Sequence, residues 1–162
     1  MALTQLELAT EAIEILSKRT CEYLINDMSL EIEDTTVSPS KIDSFTLESY
    51  TSLINLKFDM NGTIGLSVST SLAKFMVSQF IFGEVSDEEV EEMAGDSVAE
   101  ILNVVLGNVI KDFTVVRKGG KVDISTPYIM NKTTKISTAK SGLMVVNQFS
   151  TNHGKLILTY FG

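Results

Sequence analysis

The chain is poor in the residues from which most compact catalytic centres are built: 162 residues hold no tryptophan, one cysteine, one histidine and two prolines. Cys21 alone excludes an internal disulfide and fits a reducing cytoplasm. Its neighbours Arg19, Tyr23 and Leu24 predict a small buried side chain, and nothing there supports a reactive thiol. One cysteine and one histidine cannot complete a zinc site. His153 falls at an expected turn tip, where a histidine is structural. A Ser-His-Asp or Cys-His nucleophile would have to use it, yet no strand-to-helix nucleophile elbow is present. Gly119-Gly120-Lys121 lacks the longer glycine spacing and the Ser or Thr of a phosphate-cradling loop, and Gly62 with Gly65 is no dinucleotide fingerprint. Basic residues are also scarce, thirteen against twenty-one acidic, for a formal charge of −8. That argues against nucleic acid as a partner and gives little attraction to an anionic membrane. No apolar run approaches the roughly 20 residues that span a bilayer, and the first residues carry acids rather than the cationic start of a signal peptide. The expected location is therefore cytoplasmic. An enzyme with this composition works through carboxylates, amides and positioning, with no metal of its own.

Hydrophobic residues make up 44% of the chain, enough for one domain over residues 1–162 that buries about 70% of its unfolded surface. Leu6, Ala9, Ile13, Leu16, Thr20 and Tyr23 repeat at helical spacing from Leu3 to about Asn26, with Thr4 and Glu7 as a capping box. A polar stretch comes next, with a short strand expected before the Ser38-Pro39-Ser40 turn. Residues 45–60 alternate through Leu53, Leu56, Phe58 and Met60. Asn61-Gly62 then marks a tight hairpin into residues 63–69, where Ile64, Leu66 and Val68 point one way. Ser69, Thr70 and Ser71 offer caps for a second helix that ends at Gly83 and, being apolar on most sides, is expected to lie sandwiched between layers. The acidic run at residues 86–92 lacks the spacing of a calcium loop and predicts a helix start, with Ser86 and Glu89 as a capping box. Gly95 either breaks this helix from the next or merely bends it. Strands are expected at residues 122–130, 135–139, 142–149 and 155–161, the last two joined around Asn152-His153-Gly154. The order is helix, strands, two helices, strands. It predicts an α+β domain, long helices packed on an antiparallel or mixed sheet built from two strand groups.

Residues 96–111, DSVAEILNVVLGNVIK, hold the most informative pattern. On a helix, Ala94, Val98, Ile101, Leu102, Val105 and Val109 gather into a buried stripe. Asp96, Glu100, Asn103 and Gly107 fall at i, i+4, i+7 and i+11, within a narrow wedge opposite that stripe. The glycine costs about 1 kcal/mol relative to alanine in a helix interior. Two readings compete: a solvated face with a tolerated glycine, or a face that lets something approach closely. Glu100 and Asn103, at i and i+3, project side by side. An asparagine is no general base, but its amide donates and accepts at once and so can hold a water. Holding a water in line with a phosphoryl group is much of what phosphate cleavage requires, since the loose transition state needs placement and charge.

The run Asp96-x-x-x-Glu100-x-x-Asn103-x-x-x-Gly107-Asn108 resembles the signature helix of the chemotaxis phosphatases CheX and CheC. The chain length, the single copy of that helix and its flanks are most similar to CheX. Residues 62–69 running into Ser71-Leu72-Ala73 resemble its strand-to-helix passage, and residues 124–129 its strand after the signature helix. The resemblance covers roughly residues 60–130. It implies a substrate, the aspartyl phosphate of a CheY-like response-regulator receiver domain. Glu100 is then implied to pair with the receiver's active-site lysine and Asn103 to orient the attacking water. Asp96 and Gly107 complete the partner-binding face, Mg2+ comes with the receiver, and the chain forms a homodimer through strands of its C-terminal half. Two positions depart from the pattern. Ala99 stands where a glycine often precedes the glutamate, which costs nothing obvious, and Lys111 sits one place later than the usual basic residue, which puts a contact from it in doubt.

Two other readings remain beside the phosphatase. One is a non-catalytic adaptor that docks to receivers or to the flagellar switch, whose components share the fold. The other is an oligomeric structural domain whose Gly107 packs against another subunit. The charge of −8 gives no long-range attraction to an acidic receiver, so any complex depends on local fit and is transient.

Overall fold

The computed structural model describes residues 3–33, 39–137 and 142–162. Helix α1 spans Gln5–Met28. Thr4 and Glu7 close the expected capping box, the Glu7 amide donating to Thr4 Oγ1 at 3.1 Å and the Thr4 amide to Glu7 Oε1 at 3.3 Å. The buried stripe is rotated from the one expected. Ala12, Ser17, Cys21 and Leu24 join Ala9, Ile13, Leu16 and Thr20 inside, whereas Leu6 is exposed and Tyr23 half-buried. The strand expected around residues 34–38 lies outside the described residues. Just before it, Ile32 bridges Thr151.

Residues 45–60 do not form one strand. Ser44–Thr46 is β2, which leaves the main sheet, and Tyr50–Phe58 is β3. The hairpin into β4, Gly62–Val68, is present, but Asn61-Gly62 is not a two-residue turn. Register runs Leu56 to Gly62, leaving residues 57–61 to turn the chain, with Phe58 at φ +79° and Asn61 Nδ2 donating to its carbonyl. Gly62 is required for another reason: a Cβ there would collide with the Tyr160 ring, whose hydroxyl donates to the Asn61 carbonyl at 2.6 Å.

Helix α2 spans Thr70–Ile81, capped by Ser69. Two expectations for it fail. The left-handed residue that ends it is Phe82 at φ +57°, not Gly83. Nor is α2 sandwiched: Leu72, Ala73, Met76 and Val77 face the core, while Phe80 is 38% and Phe82 95% exposed. It packs mainly against the helix that follows it and the main sheet.

Helix α3 runs unbroken over Asp87–Val109 and passes through Gly95. Ser86 and Glu89 form its capping box, and Asp87, Glu88 and Glu89 place negative charge in its first turn, where the helix dipole favours it. A Cβ on Gly95 would stand 2.5 Å from Ile129 Cγ2 and 3.0 Å from Asn131 Oδ1, so the glycine admits a crossing segment against the helix. With the 3₁₀ turn Ile110–Asp112, this stretch is long enough to cross a membrane, and its most apolar 18-residue window averages a hydropathy of 1.3. That exceeds the expectation of no such run. Its apolar side is spent on the core: Val90, Ala94, Val98, Ile101, Leu102, Val105, Leu106 and Val109 are all buried.

The expected strand at residues 122–130 is two. Strand β5, Val122–Ile124, and β6, Tyr128–Met130, both pair with β3, interrupted at Pro127, which has no N–H for the ladder. Between them Ser125 keeps the chain on β3, exchanging hydrogen bonds with the Asn55 backbone. The short helix α4, Thr114–Arg117, is held to α1 by Glu11, which accepts from the Thr114 amide at 2.7 Å and its hydroxyl at 2.9 Å.

Strand β7 is Lys135–Ser137, and the rest of its expected span falls outside the described residues. Strands β8, Met144–Thr151, and β9, Gly154–Phe161, make the expected second hairpin. With β1, Ser40–Lys41, the main sheet is seven-stranded in the order β1-β8-β9-β4-β3-β5, with β6 beside β3. Every pairing is antiparallel. The architecture is therefore α+β, as expected. Helices α1, α2 and α3 cover one face and share a core with Ile54, Ile64, Leu66, Leu158 and Tyr160. On the other face the small β2–β7 sheet covers Met144, Val146 and Ile157 through Phe45 and Ile136.

Candidate functional site

Asp96, Glu100, Asn103 and Gly107 are all exposed, along the outer ridge of α3. The opposite side of each turn is sealed against the sheet and the neighbouring helices, so the ridge is held by a buried backbone rather than a loop. Glu100 and Asn103 are about 60° apart around the axis and about 4.5 Å apart along it, close enough for both to reach one approaching group. Among the described residues neither side chain has a hydrogen-bond or ion-pair partner. This contrasts with the start of the same helix, where Glu89 is taken up by its own cap.

Sequence patterning does not single out two neighbours of the ridge. Tyr23 of α1 lies within electrostatic reach of Glu100. Burial first, and then the carboxylates of Asp27 and Glu100, hold its phenol above the ordinary value, with Arg19 opposing them. On the α2 side Phe80, Met93, Asp96, Ser97 and Glu100 line a recess of about 210 Å³. The signal for Phe80 is present in the apolar circumference of α2, but such a pattern reads as burial. Gly107 faces open space, with nothing within 4 Å of the position a Cβ would take. Lys111 lies past the end of α3 in the 3₁₀ turn and is exposed.

Other candidates resolve structurally. Cys21 is buried, and burial together with Glu22 pushes its thiol up to about 11, so it is no thiolate near neutrality. His153 sits at the β8–β9 turn and stacks on Phe75 of α2, ring centroids 4.0 Å apart. Among the described residues no three His, Cys, Asp or Glu side chains converge to hold a metal ion.

Three helices on one face of an antiparallel sheet make a fold already represented among solved structures. The CheX chemotaxis protein of Desulfovibrio desulfuricans superposes with a TM-score of 0.73 at 17% identity, over 94% of this chain and 98% of that one. A CheC-like superfamily protein from Shewanella sp. PV-4 gives 0.72 at 20%, covering 94% and 97%. CheX in the CheX–CheY–BeF3–Mg2+ complex of Borrelia burgdorferi gives 0.64 at 22%, covering 93% and 96%. These likenesses establish the shared fold. No curated protein sequence matches the chain significantly. The family model of the chemotaxis phosphatase CheX matches residues 50–150, well over half the chain and all of α3. The chain belongs to the CheX family.

Proposed function

We propose that the chain is a phosphatase for the aspartyl phosphate of a CheY-like receiver domain, and that Glu100 and Asn103 carry the activity. The observation that carries this reading is the pair itself: a carboxylate and a carboxamide, exposed and without a partner among the described residues, on the outer ridge of a helix whose other side is buried. The receiver docks on the ridge. Glu100 pairs with its active-site lysine and fixes the register. The Asn103 amide enters the receiver's site and holds a water in line with the phosphorus. The water oxygen bonds to phosphorus as the bond to the aspartyl oxygen breaks. Aspartate leaves with the electron pair, inorganic phosphate is released, and the water's proton passes to phosphate or solvent. Magnesium belongs to the receiver, where it neutralises charge on the phosphoryl oxygens. The CheX–CheY complex of B. burgdorferi supports a receiver as partner. Further parts of the same reading are a cytoplasmic location and a homodimer joined through strands of the C-terminal half.

The test is phosphate loss from a panel of phosphorylated receivers, wild type against Asn103→Ala. Accelerated loss with wild type and none with the variant, at unchanged receiver affinity, is the expected result. Equal acceleration by the variant removes Asn103 from the mechanism. Binding without acceleration by the wild type makes the chain an adaptor instead.

A further inference from the structure

The recess beside Glu100 and the aromatic end of α2 form a second feature of the same face, one that the acid–amide pair does not use. Its walls are Phe80 from α2 and Met93, Asp96, Ser97 and Glu100 from α3. Phe80 is 38% exposed although it packs at a helix–helix junction. Two residues on, Phe82 is 95% exposed, and its backbone is left-handed, a conformation glycine adopts more readily. Single exposed apolar residues are ordinary, but Phe80 and Met93 meet in one recess while Phe82 stands in solvent at the end of the same helix, and aromatic residues and methionine are enriched at interface centres. The apolar walls end in two carboxylates, Asp96 and Glu100, and among the described residues neither has an ion-pair partner.

We infer that Phe80, Phe82 and Met93 are the apolar anchor for the same receiver domain that docks on Glu100 and Asn103, and that they determine which receivers are accepted. The inference rests on the phosphatase reading for its partner. Continuity identifies the occupant. Glu100 is both a wall of the recess and half of the pair, and Met93 is about 15 Å along the helix axis from Asn103. A domain covering the ridge therefore covers the recess as well. The charge selects the chemistry: an apolar side chain flanked by a cation fits a pocket with a carboxylate rim, whereas an acidic loop does not. Specificity lies here rather than at the pair, because a lysine and a phosphoryl group are common to every phosphorylated receiver and the apolar surface beside them is not.

The experiment measures binding of a CheY-like receiver loaded with beryllofluoride and Mg2+, and turnover of the phosphorylated receiver, for wild type, Phe80→Ala, Phe82→Ala and Phe82→Gly. Each variant should weaken binding and raise KM by about tenfold, with turnover at saturating receiver changed less than about twofold, as for truncation of an interface anchor. Phe82→Gly relieves the left-handed backbone, so a loss of binding in a chain at least as stable as wild type separates the anchor from folding. Wild-type affinity in both Phe80→Ala and Phe82→Gly overturns the anchor and leaves the phosphatase reading standing. Phenylalanine-dependent binding with no acceleration by wild type keeps the anchor and overturns the phosphatase. Dissociation of a homodimer by these variants, with receiver affinity intact, assigns the surface to a second copy of the chain and overturns the inference.

Discussion

Gly95 and Gly107 sit on one helix a little over three turns apart, and the molecule treats them in opposite ways. At Gly95 the fold itself forbids a side chain, because Ile129 and Asn131 lie where a Cβ would go. At Gly107 nothing among the described residues beyond the helix's own backbone comes within 4 Å of that position. The first glycine is explained by packing. The second weakens the helix by about 1 kcal/mol relative to alanine, and no contact among the described residues requires it. Ser86, Glu89 and Ser97 are satisfied within the helix and its cap, whereas among the described residues Asp96, Glu100 and Asn103 on the outward ridge have no hydrogen-bond or ion-pair partner. The helix start is satisfied by its own cap, whereas the ridge from Asp96 to Gly107 is exposed and open to something outside the chain.

The largest effect that would sharpen this division is at Asn103. Asn103→Gln keeps the carboxamide but moves it outward by one methylene, a displacement on the scale that costs about 100-fold in a positioned reaction. Receiver dephosphorylation should fall by that order while thermal stability stays within about 0.5 kcal/mol, as for an exposed helix site. Full activity in Asn103→Gln would show that placement of the amide is not what the ridge supplies. Next in size is Gly95→Val, expected to destabilise by about 2 kcal/mol through overpacking against Ile129, read from urea unfolding. Adding Ile129→Ala to Gly95→Ala should restore stability, because removal of the clash leaves the helix-propensity gain. A Gly95→Val chain as stable as wild type would mean that β6 does not press on α3 as described.

Legibility in the sequence depends on where the determining forces act. Both capping boxes, the α3 stripe and the outward wedge are legible because they are local and periodic, set by side chains within four residues of each other. The exposed end of α2 is not. An all-apolar circumference reads as burial, and only the tertiary arrangement reveals that one side of α2 has no layer over it. Pro127 is a visible warning of the β5–β6 break, yet the hold of Ser125 on Asn55 acts over 70 residues and has no local signature. Gly62 is legible as a turn signal for the wrong reason, since what requires it is the ring of Tyr160 from the far end of the chain. Of the candidate site, the ridge is readable and its surroundings, Tyr23 and the Phe80 recess, are not.

At Gly107 the two halves of the comparison can be set against each other in one substitution. Gly107→Ala should stabilise the chain by about 1 kcal/mol in urea unfolding, since the new methyl meets nothing and alanine favours helix. The same variant should bind the receiver more weakly if the partner's backbone lies against the helix there. Stabilisation with unchanged affinity would return Gly107 to the class of tolerated glycines and shorten the docking face to Asp96–Asn103.

The smallest expected effect is at Asp96, and it asks whether the face extends a full turn toward the helix start. Asp96 is exposed, lines the recess with Glu100, and contributes no ion pair among the described residues, so Asp96→Asn should leave stability within about 0.5 kcal/mol. A charge at the rim of an interface acts on encounter more than on residence. The variant should therefore associate with the receiver about twofold more slowly at low salt, and the difference should vanish as ionic strength shortens the Debye length to a few ångströms. The sign matters as much as the size. Slower association means that the receiver brings a cation toward this turn. Faster association means that an acid faces Asp96, so that at a formal charge of −8 the complex forms against repulsion on both sides of the ridge and depends on the apolar recess for its affinity.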